Sequence, residues 1–518
     1  TTTSLVLVDV SGLTGVTSWS KNQTEYTYAA AQGQQLTSQS FWKLSAGTQK
    51  QSLDSDFKQT QSMSYAARLN YNFKGRYIVT LSNRWDGVSH LAVGSKWDSF
   101  PAAAFAWRIS DESFMEKSQD WLSNLKLRIG YGITGNSGGM GAYSSNTAVY
   151  TFLNPVVFGS KAAPVVQFSA PYGNPSIGWE KSYNTNIGVD ASFLNGRINL
   201  AVDLSNTNTK GLLFKRTLPI TAGVTMWGSP INTWQNIGET NNKNLEVMLN
   251  TQNIVTKDFT WSTVTTLTVN KEKIVKLPDG DIIAESLFKG KPIRAFYNYK
   301  YLGIWSEAET DEAKLYGCVP GDIKLATNPI ITKDVNGNDV SDNGVHKYSE
   351  KDKMYLGSKN PDWYLGFQNN FTYRNFDMSI FMMARCGQML QSDLITRYNP
   401  TTSLENSPSG ISYWTPENQG AYLPRPGIHS STSQYYGWSS LALRNGSFIK
   451  IKNITLGYTL PKSLLKSAHM EKLRVYATAY NPFIFAFDKQ MKGQDPEREG
   501  SDNFPLTKEF VFGVNVTF

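Results

Sequence analysis

The side chains best suited to acid–base or metal chemistry are four histidines, His90, His346, His429 and His469, scattered along the 518 residues. None has a second histidine at the short spacing that a zinc site on a helix requires. A Ser–His hydrolase built on His90 or His429 would also need a serine and a carboxylate, and no spacing in the sequence identifies them. We therefore expect these histidines to lie in loops or turns at the surface, and we expect no enzymatic activity.

The two cysteines, Cys318 and Cys386, stand 68 positions apart and belong to no metal-binding motif. Such a sparse set is typical of isolated thiols and does not form a disulfide scaffold. Whether the two are paired stays open at this point. No cofactor is predicted from the sequence.

One acidic segment has the pattern of a cation-binding loop. Asp334, Asn336 and Asn338 offer oxygen atoms at alternate positions, as a Ca²⁺ loop does. However, Asp339 occupies the position where such a loop needs glycine, and Val345 that of the twelfth-position glutamate. The segment is therefore a weak candidate for a metal site, and a turn rich in Asx residues is the alternative.

The composition excludes several classes of protein. Aromatic residues make up 13% of the chain and charged residues 18%, whereas disordered chains have few aromatics and high charge. The net charge is +8, and the 50 basic residues form no run of five, so no nucleic-acid partner is expected. No stretch approaches 18 consecutive apolar residues, so no transmembrane helix is predicted, but a transmembrane β-barrel hides its apolar residues in alternation.

Apolar and polar residues alternate along many segments, which predicts an all-β protein. Clear runs of about 8–11 residues are 77–85, 198–205, 259–269 and 473–480, and a tilted strand needs about that length to cross a bilayer. One face of each run is apolar and suits lipid, and the other is small or polar and suits a wet lumen. On the polar side stand the candidate substrate-binding residues Arg84, Asp203, Arg474 and Tyr476. A large soluble β-protein with amphipathic strands is the alternative.

The connections between these runs alternate between short and long. Tight hairpin turns are predicted at 72–76, 193–197 and 373–376, and long polar loops at 134–178, 206–236 and 387–447. Short periplasmic turns and long extracellular loops are typical of outer-membrane barrels. About 15 or 16 strands can be placed, and the alternation requires an even number of crossings within 271–360. We expect two crossings there, near 295–301 and 321–326.

The last ten residues have the most specific local pattern. Their apolar side chains alternate and end on an aromatic residue: Phe510, Phe512, Val514, Val516 and Phe518. A strand that closes a membrane barrel needs an apolar lipid-facing side, and a terminal aromatic suits the interface. We therefore predict that Phe518 is a structural terminal β-signal.

Ten motifs, taken together and in order, resemble the SusC/RagA-type TonB-dependent transporters of Bacteroidetes outer membranes. They include Tyr71-Asn72-Phe73-Lys74-Gly75-Arg76-Tyr77, Arg84-Trp85-Asp86-Gly87, Leu125-Lys126-Leu127-Arg128-Ile129-Gly130-Tyr131-Gly132, Tyr301-Leu302-Gly303-Ile304-Trp305, Asn360-Pro361-Asp362-Trp363, Leu456-Gly457-Tyr458-Thr459-Leu460-Pro461 and Asn481-Pro482-Phe483. Each motif is weak alone, but the set runs through almost the whole chain in the family's order.

The resemblance implies a 22-stranded transmembrane antiparallel β-barrel plugged by an N-terminal domain. Residues 1–518 resemble the C-terminal part of one such barrel, and no plug, TonB box or first barrel strands are recognised. The family implies active import of oligosaccharides or peptides across the bacterial outer membrane. It also implies a SusD-like surface lipoprotein partner, coupling to the TonB complex through the N-terminal region, and contact with outer-membrane lipid.

Two other functions fit the same strands. A passive pore, or a structural or adhesive outer-membrane barrel, would keep every strand feature without depending on TonB. A hydrolase in the outer membrane would need the nucleophile–base pair discussed above. The identity of the solute cannot be read from the sequence.

Overall fold

The computed structural model describes most of the chain. The described residues are 9–34, 47–147, 149–151, 156–158, 161–163, 166–168, 172–219, 221, 225–226, 229–278, 280–397, 412–427, 435, 437, 439–465, 469–491 and 493–518. The predicted loop residue His429 lies outside the described residues.

Fourteen strands form one antiparallel sheet in which each strand neighbours the next along the chain. They are β1 Asp9–Gln34, β2 Gly47–Phe73, β3 Tyr77–Val88, β4 Trp97–Arg108, β5 Leu122–Asn136, β6 Glu180–Phe193, β7 Ile198–Lys210, β8 Glu239–Val255, β9 Phe259–Lys276, β10 Trp363–Tyr373, β11 Phe376–Cys386, β12 Phe448–Thr459, β13 Lys472–Ala486 and β14 Glu509–Thr517. The four clear alternating runs 77–85, 198–205, 259–269 and 473–480 lie in β3, β7, β9 and β13, so the all-β prediction is confirmed.

The strand register places apolar residues beside apolar residues and polar residues beside polar ones. The alternation along each strand therefore gives the sheet an apolar face and a polar face. Leu69 pairs with Leu81, Leu81 with Ala103, and Ala103 with Tyr131, which gives an apolar row across β2 to β5. Leu69, Leu81 and Tyr131 are all exposed. The adjacent row, on the other face, contains Arg68, Ser82 and Ala102. An exposed apolar face behind a polar one is the arrangement that lipid on one side and water on the other would stabilise.

The three predicted tight turns are confirmed. Residues 74–76 connect β2 to β3, 194–197 connect β6 to β7, and 374–375 connect β10 to β11. Positive φ angles occur in each turn, at Lys74 and Gly75, at Leu194, Asn195 and Gly196, and at Arg374. Turns of this length match the twist of the flanking strands only with left-handed backbone, which glycine and asparagine tolerate best. Along the chain, such short turns alternate with long connections.

The two crossings expected between 271 and 360 were wrong. β9 pairs directly with β10, from Phe259 opposite Tyr373 to Val269 opposite Trp363. The segments near 295–301 and 321–326 form short strands that pair outside the main sheet. The up-and-down order of the strands is preserved with no crossing in this segment as well as with two. The short strands found there could not span a bilayer in any case. The described part of the main sheet accordingly has fourteen strands, against the 15 or 16 expected.

In their described residues, the long connections contain eight short antiparallel pairs and a few single helical turns. The pairs are Val149–Thr151 with Val166–Phe168, Val156–Phe158 with Lys161–Ala163, Leu213–Thr217 with Asn232–Asn236, Thr225–Met226 with Ser229–Pro230, Ala295–Tyr299 with Lys353–Ser358, Tyr301–Ile304 with Ile323–Leu325, Ile331–Lys333 with Asp339–Ser341, and Met389–Gln391 with Leu443–Asn445. The α-helical turns are Thr310–Leu315, Asp393–Arg397 and Lys462–Leu465. In the described part of the chain, no helix has the length and apolar character needed to cross a membrane.

The chain divides into two compact units. The first comprises Thr1–Glu112, Lys126–Ile187 and Ser205–Asn241, and the second Ser113–Leu125, Gly188–Leu204 and Asn242–Phe518. The first has a small core around Leu91, Ala92 and Ile177. The second has a larger core of loop residues: Tyr299, Ile323, Leu325, Tyr435 and Leu441.

Candidate functional site

The polar face of β2 to β5 in the first unit contains a cavity of about 580 Å³. Its lining includes Arg84 and Asp86 of β3, two serines of β2, and the end of β5 from Ile133 to Asn136. Arg84 donates from Nε to Asp86 Oδ1 at 2.7 Å and from Nη2 to Ser64 Oγ at 3.2 Å. Its side chain is 60% exposed, so part of the guanidinium remains accessible from the cavity.

Aromatic rings close one side of this cavity. Phe100 and Trp179 meet edge to face with their centroids 5.2 Å apart. A Cβ atom on Gly135 would lie only 2.1 Å from the Phe100 ring, so glycine at this position makes room for the aromatic pair. The cavity therefore offers hydroxyl groups, one ion pair and a rigid aromatic edge, which can recognise a polar organic solute.

In the second unit, the predicted residues Arg474 and Tyr476 of β13 lie together. The Arg474 guanidinium lies 5.0 Å from the centroid of the Tyr476 ring. It also forms a two-pronged ion pair with Asp377 of β11, with Nε to Oδ1 at 2.8 Å and Nη2 to Oδ2 at 2.5 Å. Asp203, the fourth candidate, lies in β7 and is half-buried.

Two glycines make room for this group. Gly457 of β12 pairs with both Asp377 and Tyr476, and a Cβ on it would lie 2.4 Å from Arg474 Nη2. Gly513 of β14 pairs with Tyr476, and a Cβ there would lie 2.3 Å from the tyrosine ring. The Arg474–Asp377 ion pair therefore spans β12 above Gly457, and the Tyr476 ring lies over Gly513 of β14. The partner Asp377 was not predicted: its place on the polar face of β11 could be read from alternation, but its pairing with Arg474 across β12 could not.

The long connections 277–362 and 387–447 pack against each other through tyrosines. Tyr299 meets Tyr435 edge to face at 5.0 Å, and Tyr301 meets Tyr422 at 5.5 Å. The Tyr301 hydroxyl donates to the Tyr422 carbonyl oxygen at 2.8 Å. Burial raises the pKa of Tyr301 and of Tyr348 well above the usual range, so these hydroxyls stay neutral and act as hydrogen-bonding groups. The two connections therefore form one folded assembly.

Two of the described histidines lie beside oxygen atoms of the protein, and the third lies in a connection between strands. His90 Nε2 lies 2.7 Å from the Ser137 carbonyl oxygen. His346 lies between two carboxylates, with Nε2 2.9 Å from Asp352 Oδ1 and Nδ1 2.6 Å from Asp342 Oδ2. His469 has a φ of 53° in the connection between β12 and β13.

Both cysteines are free thiols. Burial raises the pKa of the Cys318 thiol to about 11, so it stays protonated and unreactive at neutral pH. Cys386 is half-buried at the end of β11.

The Asp334 segment forms the tip of the hairpin between Ile331–Lys333 and Asp339–Ser341. The Asp334 carboxylate accepts backbone N–H groups from Asn336 and Asn338, both at 2.8 Å. These hydrogen bonds lower the pKa of Asp334, and they are those of an Asx turn. Within the described ranges, no three His, Cys, Asp or Glu side chains gather as a metal site would require.

Comparison with known proteins identifies the family. The profile described as "TonB dependent receptor-like, beta-barrel" matches residues 2–481. The chain is 30% identical to TonB-dependent receptor P3 of Formosa agariphila, over 98% of this chain and 50% of that protein. It is 32% identical to TonB-dependent receptor SusC of Bacteroides thetaiotaomicron, over 88% of this chain and 44% of that protein. The chain therefore spans about half the length of the curated relatives it matches.

Among solved structures, the RagAB peptide transporter superposes with a TM-score of 0.74 at 22% identity, covering 98% of this chain and 56% of the other. That likeness supports the fold. These relatives are outer-membrane proteins named as receptors or transporters. The chain belongs to the TonB-dependent receptor β-barrel family, in its SusC/RagA branch, and is a protein of the bacterial outer membrane.

Proposed function

We propose that this chain forms the C-terminal part of one transmembrane barrel, residues 1–518, in a TonB-dependent importer. The family match over residues 2–481 carries this proposal. It is supported by strands that are apolar and exposed on one face and polar on the other. The chain performs no covalent chemistry in this proposal. In this proposal, a plug domain and the first barrel strands belong to an N-terminal part of the full-length protein; the chain matches only 50% of the length of one relative.

We propose that the solute is an oligosaccharide or a peptide. RagAB, which has the same fold, is a peptide transporter. The cavity around Arg84 has a volume of about 580 Å³ and a polar wall, which fits a short polar solute. Arg84, Asp203, Arg474 and Tyr476 are the proposed lumen contacts.

The proposed partners are a SusD-like surface lipoprotein, which would dock on the loop assembly of 277–362 and 387–447, and the TonB complex, reached through the N-terminal half. The test is affinity purification of the full-length protein from outer membranes in detergent, followed by intact mass. A mass near twice the 57.8 kDa of this chain together with a lipoprotein supports the proposal. A barrel of about 57.8 kDa alone would contradict it.

The function is tested by growth of a gene-deletion strain, and of the strain complemented with full-length protein, on single oligosaccharides or peptides as carbon source. Growth on one such solute should require both the gene and an intact TonB complex. Uptake that requires the gene but is unaffected by loss of TonB would instead establish a passive pore. If no solute distinguishes the two strains, a structural or adhesive barrel becomes the better explanation.

A further inference from the structure

The connection between β13 and β14 folds back onto the polar face of the sheet. Its described residues from 487 to 502, here named the strap, contact Lys450 of β12, which is 1% exposed. The nearby Phe448 is 0% exposed. At this end of β12, Ile449 and Ile451 pair with Phe485 and Phe483, both exposed on the apolar face. Because neighbouring residues in a strand point to opposite faces, Phe448 and Lys450 lie on the polar face, where the strap contacts Lys450.

Backbone contacts fix the path of the strap. The Asp393 N–H donates to the Gly500 carbonyl oxygen at 2.9 Å. A Cβ atom on Gly500 would lie 1.9 Å from the Gln391 carbonyl oxygen, so the two backbones approach as closely as only glycine allows. Among the described strap residues, the buried apolar side chains are Met491 and Pro496, a small apolar contact for a segment of this length.

Ion pairs provide most of the other contacts. Five strap carboxylates each pair with a cation from another element: Asp488 with Arg444 at 2.8 Å, Asp495 with Lys450 at 2.5 Å, Glu497 with Lys450 at 2.7 Å and Lys452 at 2.9 Å, Glu499 with Arg294 at 3.0 Å, and Asp502 with Arg397 at 2.8 Å. All the negative groups belong to the strap and all the positive groups to the structure that it covers.

The pairs differ in burial, and this decides which of them hold the strap. The Lys450 side chain is 1% exposed, and its partners Asp495 and Glu497 are 17% and 18% exposed. A buried ammonium is costly unless it is paired, so loss of its carboxylates is expected to be strongly destabilising. The Arg294–Glu499 pair is about half exposed at both ends and contributes little.

We propose that the strap is a releasable segment that narrows the extracellular mouth of the lumen and is held closed by charge. The inference goes beyond import itself and rests on the proposed function only in treating the polar face as a lumen. A segment held by buried ion pairs with little apolar burial is released when those charges are removed, whereas salt, which screens exposed pairs more than buried ones, has a smaller effect. The strap can therefore open without unfolding of the wall.

The test measures access to Met491 in the full-length protein. Cys318 and Cys386 are replaced by serine, Met491→Cys is introduced, and labelling by a membrane-impermeant maleimide is followed. Asp495→Asn with Glu497→Gln should speed labelling by about tenfold or more, whereas 1 M NaCl should change it much less in the parent, because the Lys450 pairs are buried. The matched control, Asp311→Asn with Glu350→Gln, removes two charges from ion pairs outside the strap and should label like the parent.

Folding is checked for each variant by heat-modifiable mobility in gel electrophoresis. If the buried-pair variant does not fold, Arg294→Gln with Arg397→Gln removes the outer cations and should give about a two- to threefold increase. Labelling as slow as in the parent, in a folded variant, would overturn the proposal, and so would rapid labelling of the parent. If the variant labels rapidly but the full-length protein imports no solute, the proposed function is contradicted and the strap proposal remains supported.

Discussion

At the scale of single residues, the space above Gly457 decides whether Arg474 and Asp377 can pair. Gly457→Ala places a Cβ 2.4 Å from Arg474 Nη2, and the flexible guanidinium must move and lose its two-pronged geometry. We expect the free energy of unfolding, measured by urea titration of the full-length protein in lipid vesicles, to fall by about 1–3 kcal/mol. Gly130→Ala is the control, since its nearest neighbour would be at 4.0 Å. Equal stability of the two variants would contradict this account.

Also at this scale, Glu309 gives the loop assembly a pH dependence. Its carboxylate accepts from Lys324 Nζ at 2.7 Å and from the Ser306 hydroxyl at 2.9 Å. These bonds lower the pKa of Glu309 from 4.5 to about 2, the one from Lys324 most strongly. Because the folded pKa is lowered, the stabilisation is fully present above pH 4.5 and is lost as the pH falls toward 2.

We therefore expect hydrogen exchange in 305–325, corrected for the intrinsic rate, to accelerate between pH 5 and pH 3. Glu309→Gln should be faster than the parent at pH 5 and should lack this dependence. Glu312→Gln, an exposed neighbour, serves as control and should follow the parent. An unchanged dependence in Glu309→Gln would assign the effect to another group.

Residue contacts were harder to predict than residue faces. Alternation alone put Arg474 and Tyr476 on the polar side, and they lie close together. It could not reveal Asp377, because the pairing depends on the register of three strands that are far apart in sequence. The strap carboxylates were missed for the same reason, since their partners are spread from Arg294 to Lys452.

At the scale of the strand, two neighbouring alanines of β4 provide a direct test of which face meets lipid. Ala103 pairs with Leu81 and Tyr131 on the apolar face, whereas Ala104 pairs with Thr80 and Gly130 on the polar face. Ala103→Arg should lower the stability of the barrel in lipid vesicles by about 2–4 kcal/mol if it lies near the bilayer midplane. Ala104→Arg, the same change one residue away, should cost much less. Similar costs would contradict the assignment of the faces.

Strand positions were predictable where alternation was long, as in 77–85 and 259–269, because a tilted crossing needs about 9–11 residues of consistent pattern. The predicted membrane crossing at 295–301 was wrong because apolar and polar residues also alternate in a short strand of a loop sheet. The up-and-down order of the strands required an even number of crossings within 271–360, but it could not distinguish zero crossings from two.

At the scale of the whole molecule, the connection 277–362, one half of the loop assembly, is inserted between two strands that pair directly with each other, β9 and β10. The Asn270 N–H donates to the Asp362 carbonyl oxygen at 3.1 Å, so a short turn can join these two residues directly. Replacing 271–361 by four turn residues should leave a heat-modifiable barrel and abolish import and lipoprotein binding. Removing 259–269, which is part of β9, should prevent folding and serves as control. Unimpaired import by the shortened protein would show that the assembly takes no part in solute capture.

The closeness of Asn270 and Asp362 also has an evolutionary consequence. Two crossovers, one at each of these hydrogen-bonded residues, are enough to exchange residues 271–361 as one cassette, while β9 and β10 keep every pairing from Phe259 to Val269. The surface chemistry of this barrel family can then diverge by cassette exchange without any change in the wall, and compensating changes are needed only where 387–447 packs on the cassette, as at Tyr422 and Tyr435.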